Sequence, residues 1–343
     1  MIIKDNLEFH AAELRTVPGL SGVLPARVPA DVAAKLNPRA RFIAADTVTT
    51  EIRFVTDAPN VDIFLSTVKP ELGPELMVQI FFGNFEYQTV FLKPGLVSNL
   101  RITSGTPAIR NIKPEFLRKG PGIGFDPNVI RVISQRGGLI YCGIETYGSP
   151  VRPPEPSEKP AKTCLFYGSS ITNSTADGFP SVACRILGTD IINVGMSGSC
   201  HVEPELADWM AARKDWDLAV FELGINALRM PVDEFRRRVD HLLNVFTSQH
   251  PEKPLVLLTL FPSFARFEFE KEPVGDDIDS AFCRILRELH AEYAKKGSVH
   301  LIEGNEILTD LNGLGADFLH PKTFGHALMG RNLAEKLAPL LNA

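Results

Sequence analysis

The sequence predicts two successive domains, an antiparallel β-sandwich of jelly-roll type and then a flavodoxin-like α/β domain with a five-stranded parallel sheet between helical layers. Three observations predict this order. Short β-branched and aromatic segments fill the first 150 residues, apolar strands alternate with helical patterns after residue 162, and a proline-rich stretch separates the two. We therefore expect domains at 1–150 and 163–343, joined by a linker at 151–162.

The boundary is predicted by a change in composition. Residues 148–162 (GSPVRPPEPSEKPAK) hold five prolines, which cannot continue a helix or pair inside a sheet. Before this stretch, seven segments have the composition of strands, and Gly, Pro, Asn or Asp separates most of them, as in an antiparallel sandwich. These segments are 48–56, 61–68, 76–83, 87–92, 98–103, 128–133 and 139–147. A short helix is predicted at 31–36.

After the linker, five apolar runs of strand length alternate with helical patterns. The predicted strands are 163–168, 190–195, 218–224, 255–260 and 299–304. The predicted helices are 178–187, 203–215, 232–249, 279–296 and 326–341. This alternation indicates a parallel sheet covered on both faces, in which ligands bind at the carboxyl ends of the strands. The residues directly after each strand are therefore the candidates for a functional site.

Composition excludes several classes of function. The net charge of −5 and the pI near 5.9 provide no basic field, which argues against nucleic acid as a partner. The five cysteines are scattered without a C-x-x-C pair, which argues against a zinc ribbon or a disulfide framework and suits a reducing compartment. We expect no signal peptide, because acidic residues stand where its apolar core would lie, and no membrane span, because no apolar run is long enough to cross a bilayer. We expect a cytoplasmic protein without membrane contact. Its oligomeric state is left open, a homo-oligomer included.

Four short polar blocks lie at the positions where a site is expected. They are GSSIT (168–172), NVGMSG (193–198), GIN (224–226) and DFLH (317–320). Alone, each block is weak, since a Gly-Ser-Ser after a strand is usually a helix cap. In this order they resemble the Gly-Asp-Ser, Asn-x-Gly-x-x-Gly, Gly-x-Asn and Asp-x-x-His blocks of the SGNH, or GDSL-like, superfamily of serine esterases and acyltransferases. The resemblance covers about residues 160–343.

The resemblance implies a catalytic triad and an oxyanion hole. Ser170 is the expected nucleophile, His320 the general base and then general acid, and Asp317 the carboxylate that fixes the imidazole tautomer. The implied oxyanion donors are the backbone amides of Ser170 and Gly198 and the side-chain amide of Asn226. The mechanism needs no cofactor, and no metal-ligand spacing is present. The G-x-S-x-G elbow of α/β-hydrolases is also absent from the sequence.

Two positions depart from the pattern of the superfamily. Ser169 replaces the usual aspartate before the nucleophile, and Ala227 replaces the aspartate that often follows the asparagine. The triad uses neither residue, so the departures bear on subfamily and substrate rather than on the chemistry. We leave three further candidates outside the triad: His201, His326 and Cys200.

Two segments allow alternative interpretations. FPSFARFEFEKEP (261–273) holds four phenylalanines, at 261, 264, 267 and 269, which either form an apolar wall for an acyl group or pack their own loop. The first domain either shapes an acceptor or sugar site or serves as a packing domain.

The function predicted from the sequence is that of a serine esterase. It removes a short acyl group such as acetyl from a carbohydrate or small alcohol, through a Ser170 acyl-enzyme. The alternative is an acyltransferase in which a small-molecule hydroxyl replaces water as the acceptor. A third hypothesis is a carbohydrate-binding protein that has lost activity, and the intact Ser170, Asp317, His320 and Asn226 argue against it.

Overall fold

The computed structural model describes residues 2–68, 74–103, 124–263 and 280–342. Its internal contacts divide the chain into two compact units. Unit 1 comprises Met1–Ala30, Ala44–Ala161 and Arg185–Asp190, and unit 2 comprises Asp31–Ile43, Lys162–Cys184 and Ile191–Ala343. Residues 31–43 therefore belong to the same unit as the four polar blocks. About 120 residues of unit 1 lie between residue 43 and the next segment of unit 2 along the chain.

Unit 1 is built from two antiparallel sheets. Its strands are β1 (Ile2–Lys4), β2 (Leu7–His10), β3 (Glu13–Thr16), β4 (Val23–Ala26), β5 (Glu51–Thr56), β6 (Asn60–Val68), β7 (Leu76–Phe82), β8 (Phe85–Leu92), β9 (Ser98–Thr103), β10 (Ile130–Ser134), β11 (Gly138–Glu145) and β12 (Val151–Arg152). One sheet has the order β1-β2-β5-β10-β7-β8, with β12 paired to β5, and the other has the order β3-β4-β11-β6-β9. The predicted antiparallel sandwich is confirmed. The strands β1 to β4 were not predicted.

The core of unit 1 lies between these two sheets. Alternate residues of each strand point inward, so that apolar side chains of both sheets form one buried cluster. Phe9 of β2 and Tyr141 of β11 contact each other across it, with ring centroids 5.2 Å apart in an edge-to-face arrangement.

A buried ion cluster lies beside this core. The Arg53 side chain is 1% exposed and donates to Glu51 at 2.7 Å and, through two nitrogens, to Asp190 at 2.7 Å each. Arg131 also pairs with Glu51, and the Phe125 ring lies against both guanidinium groups, 4.7 Å from Arg53 and 3.9 Å from Arg131. Burial raises the pKa of Glu51, but the two arginines outweigh it and hold that pKa at about 2.

The proline-rich segment is ordered within unit 1. Val151 and Arg152 form β12, which ends before the adjacent prolines because proline has no N–H to donate to the sheet. Pro156–Glu158 then form a 3₁₀ turn that begins with proline. Arg152 binds Glu158 through two nitrogens, at 2.7 and 2.8 Å.

Unit 2 carries the parallel sheet. Its strands are β13 (Thr163–Tyr167), β14 (Asp190–Asn193), β15 (Leu218–Glu222), β16 (Leu255–Leu258) and β17 (Val299–Ile302), in the order β14-β13-β15-β16-β17. This is the doubly wound order of flavodoxin-like folds, in which the first strand lies between the second and the third. The prediction of a five-stranded parallel sheet is confirmed.

The described helices are α1 (Ala30–Ala33), α2 (Pro38–Ile43), α3 (Phe179–Leu187), α4 (Pro204–Ala212), α5 (Val232–Gln249), α6 (Ala281–Tyr293), α7 (Gly304–Ile307) and α8 (Thr323–Asn342). In α5, buried residues recur at three- and four-residue steps, which places one apolar stripe against the core. Ser280 caps α6 by accepting the Cys283 N–H at 3.2 Å. Within the described ranges, no helix combines the length and apolarity needed to cross a bilayer.

Candidate active site

Ser170 lies on a tight turn that follows β13. The next helix, α3, begins only at Phe179, so Ser170 is not its cap. The Ser170 Oγ lies 2.8 Å from Nε2 of His320, and the serine is half-buried. This contact joins two residues 150 positions apart, as the motif order predicts.

His320 and Asp317 occupy one turn before α8. Nδ1 of His320 lies 2.7 Å from Oδ2 of Asp317. The second carboxylate oxygen, Oδ1, accepts the backbone N–H groups of Leu319 at 3.1 Å and His320 at 3.0 Å. Partial burial raises the pKa of Asp317, but the hydrogen bonds from His320 and Leu319 outweigh it and bring that pKa to about 2. Asp317 is therefore ionised at neutral pH and can fix the imidazole orientation.

The turn that carries this pair is tight. Phe318 adopts a positive φ of 53°, which is uncommon for a bulky residue, and the Gly315 N–H donates to the His320 carbonyl at 2.8 Å. The backbone therefore folds back on itself and directs both side chains of the Asp-x-x-His block to one side.

The glycine block packs on the turn that carries Ser170. Met196 N–H donates to the Gly168 carbonyl at 2.7 Å, and Asn193 Nδ2 donates to the Thr172 carbonyl at 2.8 Å. A Cβ on Gly195 would lie 2.4 Å from the backbone nitrogen of Asn173, so only glycine allows this approach. Gly198 follows with a φ of 65° and lies at the surface.

Asn226 is tied to the same block. Its Oδ1 accepts the Cys200 N–H at 3.1 Å, which fixes the plane of the side-chain amide. No described residue accepts from its Nδ2, whose two protons therefore remain for another acceptor. The structure thus links the Gly198 block both to the Ser170 turn and to Asn226.

Sequence reasoning missed Glu222, the last residue of β15. This side chain is 2% exposed, and its Oε2 accepts the Ser169 N–H at 2.7 Å and the Thr172 hydroxyl at 3.0 Å. Burial raises the pKa of Glu222 to about 7, because desolvation outweighs the hydrogen bonds from Ser169 and Thr172. A charged residue at the end of an otherwise apolar strand (LAVFE) is the signal that could have identified it.

Residues 31–43 also reach this region. Asn37 Oδ1 accepts the Ala40 N–H at 2.9 Å in α2, while its Nδ2 bonds to the Glu203 carboxylate. Nε of Arg39 lies 3.8 Å from the position that a Cβ on Gly198 would occupy. The short helix α2 therefore places the Arg39 guanidinium group beside the glycine block. No local pattern in the sequence predicts this contact.

The three other candidates have structural contacts. Cys200 is buried, and desolvation raises the pKa of its thiol well above the ordinary range, which keeps it protonated. Nδ1 of His326 accepts the Phe179 N–H at 3.2 Å, and the two rings stack. The His201 carbonyl accepts from Arg238 at 2.9 Å.

Part of the predicted aromatic segment can be placed. Phe261 is 5% exposed and packs edge-to-face on Phe179 at 5.7 Å, so it belongs to the core of unit 2. The phenylalanines at 264, 267 and 269 lie outside the described residues. Within the described ranges, no group of three His, Cys, Asp or Glu side chains could hold a metal ion.

The fold and these polar blocks define an SGNH-type α/β protein. A model of the GDSL-like lipase/acylhydrolase family matches residues 161–339, and the chain belongs to that family. No curated protein sequence matches the chain.

Solved structures share the fold at low sequence identity. Salicylyl-acyltransferase SsfX3 from a tetracycline biosynthetic pathway is 16% identical, with a TM-score of 0.79 over 98% of this chain and 95% of its own. A putative GDSL-like lipase from Bacteroides ovatus is 15% identical, with a TM-score of 0.69 and 98% of both chains covered. The acetyl xylan esterase Est2A from the rumen bacterium Butyrivibrio proteoclasticus is 11% identical, with a TM-score of 0.60 over 99% of this chain and 97% of its own.

Proposed function

We propose that the protein is a serine esterase that hydrolyses a short-chain acyl ester, such as an acetyl ester, of a carbohydrate or small alcohol. The observation that carries this proposal is the chain of two contacts from Ser170 Oγ to His320 and from His320 to Asp317, at 2.8 and 2.7 Å. A serine hydroxyl is a weak nucleophile at neutral pH, and an adjacent base oriented by a carboxylate activates it.

In the first half-reaction, Ser170 Oγ forms a bond to the ester carbonyl carbon while its proton passes to Nε2 of His320. The tetrahedral intermediate collapses as the bond to the alcohol oxygen breaks, and His320 returns the proton to that oxygen. In the second, a water molecule loses a proton to His320 and attacks the acyl-enzyme, which releases the carboxylic acid and restores Ser170. Asp317 stays ionised throughout and stabilises the imidazolium.

The negative charge that develops on the carbonyl oxygen requires hydrogen-bond donors that are already in place. We assign this role to the backbone N–H groups of Ser170 and Gly198 and to Nδ2 of Asn226. The bond from Cys200 N–H to Asn226 Oδ1 supports the assignment, because it fixes the plane of the side-chain amide while Nδ2 has no acceptor among the described residues.

The substrate class rests on fold similarity. The acetyl xylan esterase with the same fold acts, by its name, on an acetylated sugar polymer, and this favours a carbohydrate ester here.

A second candidate function is acyl transfer to a small-molecule hydroxyl. The specific observation in its favour is the TM-score of 0.79 to a salicylyl-acyltransferase over nearly the whole chain. Both reactions share the acyl-enzyme and differ in whether water or an alcohol takes the acyl group.

The esterase proposal is tested with 4-nitrophenyl acetate and the variant Ser170→Ala. We expect kcat to fall at least about 1000-fold, because the nucleophile is lost while binding groups remain. Ser181→Ala is the matched control, since that hydroxyl donates to the Thr175 carbonyl and lies outside the site. Hydrolysis that survives Ser170→Ala would overturn the proposal.

Transfer is tested by partition of the acyl group. Acetylated sugars and aryl esters are supplied together with candidate alcohols, and acid and ester products are measured at increasing acceptor concentration. An ester product that rises with acceptor while total turnover depends on Ser170 would support the transferase, and acid as the only product would support the esterase.

A further inference from the structure

A buried carboxyl group packs directly behind the turn that carries Ser170. Glu222 contacts this turn through Oε2, which accepts the Ser169 N–H at 2.7 Å and the Thr172 hydroxyl at 3.0 Å. A Cβ on Gly168 would lie 2.7 Å from the same oxygen. The turn is therefore held against Glu222, and no other charged group contacts this carboxyl among the described residues.

Two donors converge on one oxygen of this carboxyl group, the Ser169 N–H and the Thr172 hydroxyl. The Ser169 hydroxyl also accepts the Ile171 N–H of the same turn at 3.1 Å. A carboxylate accepts both bonds as charge-assisted bonds, whereas a glutamine carboxamide accepts them as weaker neutral bonds and adds two donors of its own that would need partners. The arrangement thus favours an acid at this position over a neutral polar residue of the same shape.

The same group is costly to the fold. Burying an ionised carboxylate without a positive partner opposes folding, and none of the described arginines, lysines or histidines pairs with Glu222. The titratable group that faces it is the Cys200 thiol, which is itself buried and protonated. A packed apolar residue at position 222 would stabilise the fold more than this acid does. The presence of an acid there therefore points to a requirement of the reaction.

We propose that Glu222 is a positioning residue for the nucleophile, holding the Ser169–Thr172 turn so that Ser170 Oγ stays within hydrogen-bond reach of His320. This inference rests on the proposed role of Ser170. Glu222 does not touch the substrate. It acts through the backbone of Ser169, and a small displacement of a reacting atom is enough to cost about 100-fold in rate.

The test compares Glu222→Gln and Thr172→Val with Glu303→Gln as the matched control. Glu303 follows β17, which lies two strands from β15 in the same parallel sheet, and it also accepts a threonine hydroxyl, from Thr259 at 2.7 Å. Its carboxylate accepts from Arg287 as well, and it contacts no residue of the Ser169–Thr172 turn. We expect Glu222→Gln to lower kcat about 10- to 100-fold with KM nearly unchanged. Thr172→Val removes one donor and should lower kcat less, and Glu303→Gln should match the wild type.

The pH profile separates positioning from packing. In the wild type, we expect kcat/KM to fall at acid pH with a contribution from the ionisation of Glu222 near pH 7. This ionisation should be absent from the pH profile of Glu222→Gln and present in that of Thr172→Val. If Glu222→Gln fails to fold, Thr172→Val against Glu303→Gln still decides, because only the former should lose kcat. Wild-type kcat and an unchanged pH profile in Glu222→Gln would overturn the inference.

A fluorophosphonate probe distinguishes failure of this inference from failure of the proposed function. If wild-type protein turns over no ester, the proposed function fails, and the rate at which the probe labels Ser170 still reports on the turn. Slower labelling in Glu222→Gln than in Glu303→Gln supports the positioning role. Equal labelling rates in the two variants contradict it.

Discussion

Oδ2 of Asp317 lies 2.7 Å from Nδ1 of His320, only three residues further along the chain. The same carboxylate also accepts two backbone N–H groups of this turn through Oδ1. A single short segment therefore carries both the imidazole and the carboxylate that orients it, and hydrogen bonds within that segment set their geometry.

Asp317→Asn is expected to lower kcat about 100- to 10,000-fold. An asparagine keeps the shape but cannot stabilise the imidazolium, and its amide favours the wrong tautomer of His320. The measurement is kcat on 4-nitrophenyl acetate. Asp310→Asn is the control, because Asp310 also accepts a backbone N–H two residues on, from Asn312 at 2.9 Å, outside the site. Wild-type kcat in Asp317→Asn would contradict the assigned role.

Asn226→Ala is expected to lower kcat about 100- to 1000-fold with little change in KM, because the role proposed for its Nδ2 is to bond the oxyanion more strongly than the ground-state carbonyl. Steady-state kinetics on a series of acyl esters measures both constants. Asn332→Ala serves as the control, since Nδ2 of Asn332 donates to the Ile307 carbonyl at 2.9 Å. A rise in KM at constant kcat would show that Asn226 binds substrate without stabilising the transition state.

Glu222→Gln is expected to gain stability relative to wild type as pH rises. The folded pKa of about 7 exceeds the ordinary 4.5, so the stability that Glu222 contributes is complete below about pH 4.5 and is lost as pH rises through about 7. The loss amounts to about 3 kcal/mol at most. Urea unfolding at pH 5 and pH 8 measures it, and a pH-independent difference between the two proteins would mean that Glu222 is not buried as an acid.

Arg53→Met is expected to lower the free energy of unfolding of unit 1 by about 3–5 kcal/mol, because it leaves Glu51 and Asp190 buried without their main partner. Equilibrium urea unfolding measures the change. Arg236→Met, which removes a half-exposed pair with Glu288 and Glu292, should cost far less. Equal losses would show that burial of the Arg53 cluster is not what makes it important.

The sheet of unit 2 could be predicted because its strands are continuous apolar runs, which only a sheet covered on both faces explains. That sheet brings the residues after each strand to one edge, since parallel strands present their carboxyl ends there, and the resemblance to the SGNH superfamily selected Ser170, Gly198 and Asn226 among them. The first four strands of unit 1 were missed because segments such as ELRT alternate too weakly to stand out from a loop.

The remaining residues of the candidate site were not predicted, because they depend on contacts between segments that are distant in the sequence. Glu222 was missed because its run was interpreted as one buried strand, and only the three-dimensional approach of the Ser169 turn gives the carboxyl its partners. Asn37 and Arg39 were missed because nothing local indicates that residues 31–43 join unit 2. Such pairings depend on how the chain returns on itself, which periodicity and motif spacing do not encode.

Trapping the acyl-enzyme tests the central claim most directly. Wild-type protein is mixed with a slowly deacylating 4-nitrophenyl ester, quenched, digested and analysed by mass spectrometry. The account predicts one acyl group on the peptide that contains Ser170, and none in Ser170→Ala. An acyl group on another residue, or undiminished turnover in Ser170→Ala, would contradict it.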